Sequence, residues 1–195
     1  MIKDLHEIYN NPDDYENKEI TIQGWIRNHR KQKEIGFIDL NDGTDFRGIQ
    51  LVYDKDLKNF EEIQKLHIGS AITVTGKLVK SARKEQLFEL IITNIKLEGD
   101  CPEDYPIQPK RHTREFLREQ AYLRPRTNLF SAVFRVRSVA AMAIHEYFQN
   151  NNYVYVHTPL ITTADCEGSD QMFKITTLDY NNLPLDENKK VDLSK

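Results

Sequence analysis

Positive charge in excess, cysteine and long apolar runs are what this chain lacks. Lysine and arginine number 27 against 30 aspartates and glutamates, a formal charge of −3. A protein that coats nucleic acid non-specifically carries a net positive field, so any such contact here has to come from a local patch. Cys101 and Cys166 are the only cysteines. Neither sits in a CxxC or other metal-ligand spacing, so two reduced thiols in a cytosolic protein are expected. No window approaches the roughly 20 apolar residues of a membrane helix. The acidic opening MIKDLHEIYNNPDD is not a signal peptide. A soluble, cytoplasmic protein without membrane contact is the expectation. What is present is globular in composition, 39% hydrophobic and 29% charged over 195 residues. That length suits one domain with a real core, or one small domain plus part of another.

The stretch Ile35–Tyr53, IGFIDLNDGTDFRGIQLVY, reads as two strands closed by a tight turn, because alternating apolar residues flank Asn41-Asp42-Gly43. A two-residue turn at Gly43-Thr44 places Ile38 opposite Ile49 and Phe37 opposite Gln50. Ile38, Leu40, Ile49 and Leu51 then form one apolar face, since side chains alternate along a strand. Phe37 and Gln50 share the other face, which is expected to be wet. A ring beside a side-chain amide suits a flipped-out base, the ring stacking and the amide reading an edge. An exposed phenylalanine with a polar neighbour is the plainer alternative.

Around this hairpin the chain punctuates itself. Residues 3–10 make a short helix that Asn11-Pro12 stops. Lys18–Arg30 alternates as a strand in which Gly24 marks a bulge or bend. Leu57, Phe60, Ile63 and Leu66 have helical spacing, so 56–66 is a short amphipathic helix closed by Gly69. Ala71–Val79 and Leu87–Leu97 are strands joined by the polar loop Lys80–Gln86. Three strands, a helix and two strands within roughly 80 residues is the layout of the five-stranded oligonucleotide-binding (OB) barrel. Another small β-barrel with an inserted helix is the alternative.

Beyond the barrel, Asp100–Pro106 with its two prolines marks a linker. Residues 109–126 carry Lys110, Arg111, Arg114, Arg118, Arg124 and Arg126 against Glu115 and Glu119. That stripe is either a phosphate-binding surface or a solvated face whose arginines pair locally. From Asn128, Val133, Val136, Ala140, Ile144 and Tyr147 recur at helical steps after an N-cap at Thr127, and Phe130, Phe134 and Met142 add a second apolar face. A helix of about 20 residues, apolar on two sides, needs two partners. Asn150-Asn151-Asn152 ends it. Tyr153–Val156 reads as a buried strand running to Pro159, and a further strand is expected over Met172–Thr176. The last 70 or so residues hold too few elements to close a core around so long a helix, and a second domain is expected to have begun without being completed.

At these residues the chain resembles a known family. The barrel followed by FLREQAYLRPRTNLFSAVFRVRS (116–138) and YVYVHTPLITTADCEGSDQMF (153–173) is similar to the N-terminal part of the asparagine–tRNA ligases. These are class IIb aminoacyl-tRNA synthetases, close to the aspartate and lysine enzymes. The resemblance implies an anticodon-binding barrel over 1–102, a hinge over 103–126, and over 127–195 the start of an α+β catalytic domain. It implies that Phe37 stacks on the middle anticodon base, a uridine, that Gln50 hydrogen-bonds that base, and that Glu89 reads the first base, a guanine. Arg30, with Arg27 in the same cationic run, would contact the anticodon loop. Residues 129–149, Tyr153–Val156 and Pro159 would be motif 1, with Phe134, Val136 and Pro159 at a homodimer interface. Glu167, in the Glu167-Gly168 pair of the loop over the amino-acid pocket, would bind the substrate ammonium. Ser169-Asp170-Gln171 replaces the family's usual Ala-Gly-Glu, which bears on closure of that loop. The implied partners are tRNA(Asn), asparagine and ATP with Mg2+. The two arginine-bearing motifs that hold ATP are expected beyond Lys195, so no catalytic residue is assigned within these residues and the piece alone is expected to be inactive. A piece of an aspartate–tRNA ligase and a stand-alone RNA-binding OB module are the competing readings.

Overall fold

The computed structural model describes residues 2–81, 86–162, 173, 175–179 and 181–192. In order they form β1 (Ile2–Lys3), α1 (Leu5–Asn10), β2 (Glu19–Lys31), β3 (Ile35–Asn41), β4 (Ile49–Asp54), α2 (Phe60–Ile63), β5 (Ala71–Lys80), β6 (Phe88–Gly99), α3 (Arg114–Glu119) and α4 (Asn128–Asn150). The chain divides into two compact units, Met1–Tyr147 and Phe148–Lys195.

In the first unit the strands run β1-β2-β3-β4-β6-β5, and a further β2–β5 pairing returns the sheet on itself. Strands β2 to β6 thus form the closed five-stranded OB barrel. β4 and β6 are parallel and the other barrel pairs antiparallel. Alternation explains the filling: Ile20, Ile22 and Ile26 of β2, Ile38 and Leu40 of β3, Ile49 and Leu51 of β4, Val74 and Leu78 of β5 and Leu90 of β6 are buried in one core. Helix α1 adds Leu5 and Ile8 to that core. Its N-cap is Asp4, whose carboxylate accepts from the Glu7 N–H. The expected helix over 56–66 shortens to the four residues of α2. Leu57, Phe60, Ile63 and Leu66 nevertheless all pack on the core, so the spacing located the apolar face while the helix itself is a single turn.

The hairpin differs from expectation in register. Phe37 lies opposite Val52, Ile38 opposite Leu51, Asp39 opposite Gln50 and Leu40 opposite Ile49. A two-residue turn is excluded by the loop's own side chains. Asn41 Oδ1 accepts from the Gly43 N–H, Asp42 Oδ1 from the Thr44 N–H and Asp45 Oδ1 from the Arg47 N–H, each at 2.9 Å. These Asx turns occupy the Gly43, Thr44 and Arg47 backbone donors and widen the connection. The slip is two residues, so every side chain keeps its face, and the four expected apolar residues are buried. The wet setting expected for Gln50 is wrong, however: its side chain is packed away, at 2% exposure.

Gly24 permits a close approach, since a Cβ there would lie 2.8 Å from the Asn41 carbonyl oxygen. The register shift of β2 against β3 falls between Ile26 and Asn28 instead. Residues 101–130 hold a small core of their own, in which Tyr105, Ile107 and Leu117 are buried against Ile68, Phe116, Leu123 and Phe130. Thr127 Oγ1 accepts from the Phe130 N–H at 3.4 Å, the N-cap contact expected for α4. No side chain of α4 is buried; Val136 is 68% exposed.

In the second unit the Asn150-Asn151-Asn152 stop takes a defined form. Asn152 has φ +64°, its N–H donates to the Gln149 carbonyl, and the Tyr153 N–H donates to the Phe148 carbonyl. This is the Schellman arrangement, with asparagine in the left-handed position. Tyr153–Val156 is neither a strand nor buried, with exposures of 60–84%. A strand needs a neighbouring edge for its N–H and C=O groups, and among the described residues none is paired with it. His157 is exposed beside Tyr155. The strand expected at 172–176 falls partly outside the described residues, and Phe173, Ile175 and Thr176 have no regular structure. Leu185 and Val191 form an isolated bridge around a turn at Asp186.

One polar pair inside the barrel carries a pH dependence. His29 Nδ1 donates to the Leu66 carbonyl at 3.1 Å, leaving Nε2 to accept from the Tyr53 hydroxyl at 2.7 Å. Gly36 makes room for that ring, because a Cβ would fall 2.1 Å from Tyr53 Cζ. Burial pushes the Tyr53 phenol up to about 12 and pulls the His29 imidazolium below its ordinary range. The folded state therefore binds fewer protons than the unfolded chain once pH drops below the unfolded histidine value of about 6.5. Stability from His29 is whole above that pH and declines as pH falls through the lowered folded value. The melting temperature is expected to drop as pH falls below about 6.5, with a shallower slope in His29→Gln; equal slopes in melting curves below that pH would contradict the assignment.

Candidate nucleic-acid interface

Four strands line up their outward side chains in two adjacent rows. Asn28 of β2 pairs with Asp39 of β3, Asp39 with Gln50 of β4, and Gln50 with Glu89 of β6. One step along, Arg30 pairs with Phe37, Phe37 with Val52 and Val52 with Ile91. The first row is polar and the second largely apolar. The register shift after Ile26 makes this possible. Ile20, Ile22 and Ile26 point inward, and one extra residue reverses the parity, so His29 faces in while Asn28 and Arg30 face out.

The polar row is closely bonded. Asn28 Nδ2 donates to Asp39 Oδ2 at 3.1 Å. Arg30 Nη2 lies 3.8 Å from Asp39 Oδ1 and donates to Gln50 Oε1 at 2.5 Å. Gln50 Nε2 donates to Glu89 Oε1 at 3.2 Å, and Ser81 Oγ donates to the same oxygen at 2.6 Å. The Arg30 guanidinium thus stands between the Asp39 carboxylate and the Gln50 amide, and the amide in turn reaches the Glu89 carboxylate. Arg30 also lies over the Phe37 ring, its Cζ 5.3 Å from the centroid. Phe37 and Val52 are half-buried, and Ile91 is 39% exposed. The face therefore offers an apolar platform edged by fixed donors and acceptors, the combination that single-stranded bases use through stacking and edge recognition.

Phe37, Gln50, Glu89 and Arg30, all singled out in the sequence, come together here. Arg27 does not. As the residue at the register shift it turns to a second surface, where Nη2 donates to Asn128 Oδ1 at 3.4 Å. There it lines a groove of about 1180 Å³ with Trp25, Tyr105, Lys110, Arg114 and Arg126. Burial lowers the Arg27 pKa, and Tyr105 raises it while Arg126 lowers it further. Of the basic stripe, Arg124 lies over Phe130 at 4.9 Å, and Arg126 lies over Trp25 at 4.8 Å. Among the described residues none of the six cations of 109–126 forms a salt bridge with a carboxylate, so local ion pairing does not account for the stripe. Phe134 is half-buried beside Phe130, with ring centroids 6.0 Å apart, Val136 is exposed, and Pro159 is exposed in the second unit. Glu167 lies outside the described residues.

Asp39, Ser81, Val52 and Ile91 were missed from sequence. The Asx residues 41, 42 and 45 were the available signal for Asp39 and Val52, because the wider loop sets the register that brings them beside Gln50 and Phe37. Ser81 and Ile91 depend on the parallel β4–β6 pairing, for which no local pattern speaks. Among the described residues no cluster of three or more His, Cys, Asp or Glu side chains could hold a metal ion. No Mg2+ ligand is therefore assigned to them.

Comparison with known proteins agrees with this fold. Residues 20–98 match a family described as "OB-fold nucleic acid binding domain", and residues 113–185 match "tRNA synthetases class II (D, K and N)". The asparagine–tRNA ligase of Acholeplasma laidlawii is 55% identical over 98% of this chain and 42% of its own length. That of Clostridium tetani is 50% identical over 98% of this chain and 41% of its own. The chain thus spans about two-fifths of the relatives it matches. In fold it is similar to the asparaginyl-tRNA synthetase of Pyrococcus horikoshii complexed with asparaginyl-adenylate, with a TM-score of 0.73, 23% identity, and coverage of 84% of this chain and 38% of that one. By sequence and fold together, this chain belongs to the asparagine–tRNA ligase family of class II aminoacyl-tRNA synthetases.

Proposed function

We propose that these residues are the anticodon-reading part, and the beginning of the catalytic domain, of a cytoplasmic enzyme that uses ATP and Mg2+ to join asparagine to tRNA(Asn). The two rows on the outer barrel face are the observation that carries this reading. They bring an aromatic platform, a fixed amide and a carboxylate within the reach of adjacent bases. In this proposal Phe37 stacks on the middle anticodon uridine, Gln50 bonds its edge, Glu89 accepts from the first base, a guanine, and Arg30 serves the anticodon loop. Arg27 and the cations of 109–126 meet phosphates along the barrel groove. Residues 1–102 are the anticodon-binding domain, 103–126 the linker and 127–195 part of the catalytic domain. Phe134, Val136 and Pro159 belong to a homodimer interface, which fits the exposed apolar faces of α4, and Glu167 receives the substrate ammonium. Asparagine is favoured over aspartate by the identity of 50% and more to asparagine–tRNA ligases.

Phe37→Ala is expected to weaken binding of an isolated anticodon stem-loop by about 1–3 kcal/mol, the usual worth of base stacking; unchanged affinity in a titration would remove Phe37 from the site. Gln50→Ala should relax discrimination at the middle base more than it lowers total affinity. Equal wild-type binding to all four middle bases would sink that assignment. Aminoacylation by the full-length gene product should charge tRNA(Asn) with asparagine and not tRNA(Asp) with aspartate, and the 195 residues alone should form no asparaginyl-adenylate.

A further inference from the structure

The Gln50 amide lies between a group that only donates and a group that only accepts. Its Oε1 faces Arg30 Nη2 and its Nε2 faces Glu89 Oε1. Turning the amide over would set its NH2 against the guanidinium and its carbonyl against the carboxylate. Two charge-assisted hydrogen bonds would be exchanged for two contacts of like polarity. The amide therefore has one orientation.

Its two flanks are not equivalent. Glu89 is fixed: Ser81 donates to the same Oε1, and β4 and β6 are paired at Gln50 and Glu89. Arg30 is a long side chain, 44% exposed, lying over the Phe37 ring. That is the place a base stacked on Phe37 would occupy. Gln50 itself is only 2% exposed, so a base reaches the amide by taking the place of Arg30. What it meets there is the carbonyl Oε1, because Nε2 is held by Glu89. Uracil brings an N3–H to that oxygen, whereas cytosine brings a lone pair at the same position.

We propose that Glu89 is a specificity-determining residue for the middle base, acting through Gln50: it holds Nε2, turns Oε1 toward the base and so selects uridine over cytidine. This rests on the reading that Phe37 and Gln50 receive the middle anticodon base, and it gives Glu89 a role beyond the first base. One carboxylate then links the reading of two neighbouring positions.

The test is Glu89→Gln, which keeps shape and removes charge. A glutamine at 89 can accept from Nε2 or donate to Oε1, so both orientations of Gln50 become hydrogen-bonded. Stem-loops with guanine first and either U or C in the middle are titrated against the 195-residue chain, as wild type, Glu89→Gln, Gln50→Ala and the double variant, with melting curves confirming that each is folded. Wild type is expected to favour U by roughly tenfold or more. In Glu89→Gln that preference should shrink toward the Gln50→Ala value, and the double variant should lose nothing further. A weakened Glu89→Gln with the wild-type U-to-C ratio would overturn the proposal, leaving Glu89 to the first base alone. A wild type without any U preference would instead sink the base-reading assignment on which the proposal stands.

Discussion

Closure of the barrel depends on β2 serving two neighbours. Residues Glu19–Trp25 pair with β5 and residues Trp25–Lys31 with β3, so Trp25 belongs to both ladders. A sheet joined in this way closes on itself, and the part of β2 that β3 does not reach is paired by β1 at Thr21 and Ile22. The thirteen residues of β2 follow from this, being two pairing segments end to end. The register shift between them has a chemical result. It turns Arg30 outward beside Phe37 and sends Arg27 to the groove against residues 105–129. A strand of unbroken alternation would have pointed Arg30 into the core.

The outer face couples an apolar surface to a row of opposing charges. A buried amide without partners would cost on the order of 1–3 kcal/mol, and here Arg30 and Glu89 satisfy both ends of Gln50. The same two groups fix the orientation of the amide, although Arg30 has to give way before any ligand reaches it. The cation also lies over the ring that a base would use, which makes the ligand-free face a filled one. Sites of this kind discriminate sharply, because a ligand that fails to replace the displaced hydrogen bond leaves a desolvated group unpaired.

Helix α4 has a different physical status. Isolated helices are marginal in water, and helices in proteins persist chiefly through packing. Phe130 and Phe134 are covered at its N-terminal end by Arg124. Farther along, Val136, Val139, Met142, Ile144 and Tyr147 remain exposed. Tyr153–Val156 is likewise exposed, though rich in strand-forming residues. Both segments therefore present apolar surface that nothing among the described residues covers.

Local chemistry determined much of this protein without tertiary help. Alternation placed the barrel strands to within one or two residues, and in the β3–β4 hairpin it chose the side chains that enter the core, because the two-residue periodicity survives an even slip of register. Apolar spacing found α4 and the asparagines that end it. Phe37, Gln50, Glu89 and Arg30 were legible as candidates through the pairing pattern and the family resemblance. Tertiary structure decided the rest, since the deciding contacts are non-local. The width of the 42–48 loop set the true partners of Phe37 and Gln50. The parallel β4–β6 pairing carried Glu89 across 39 residues of sequence to the Gln50 amide. The burial of that amide depended on an arginine two strands away, and no pattern within the hairpin could have revealed it.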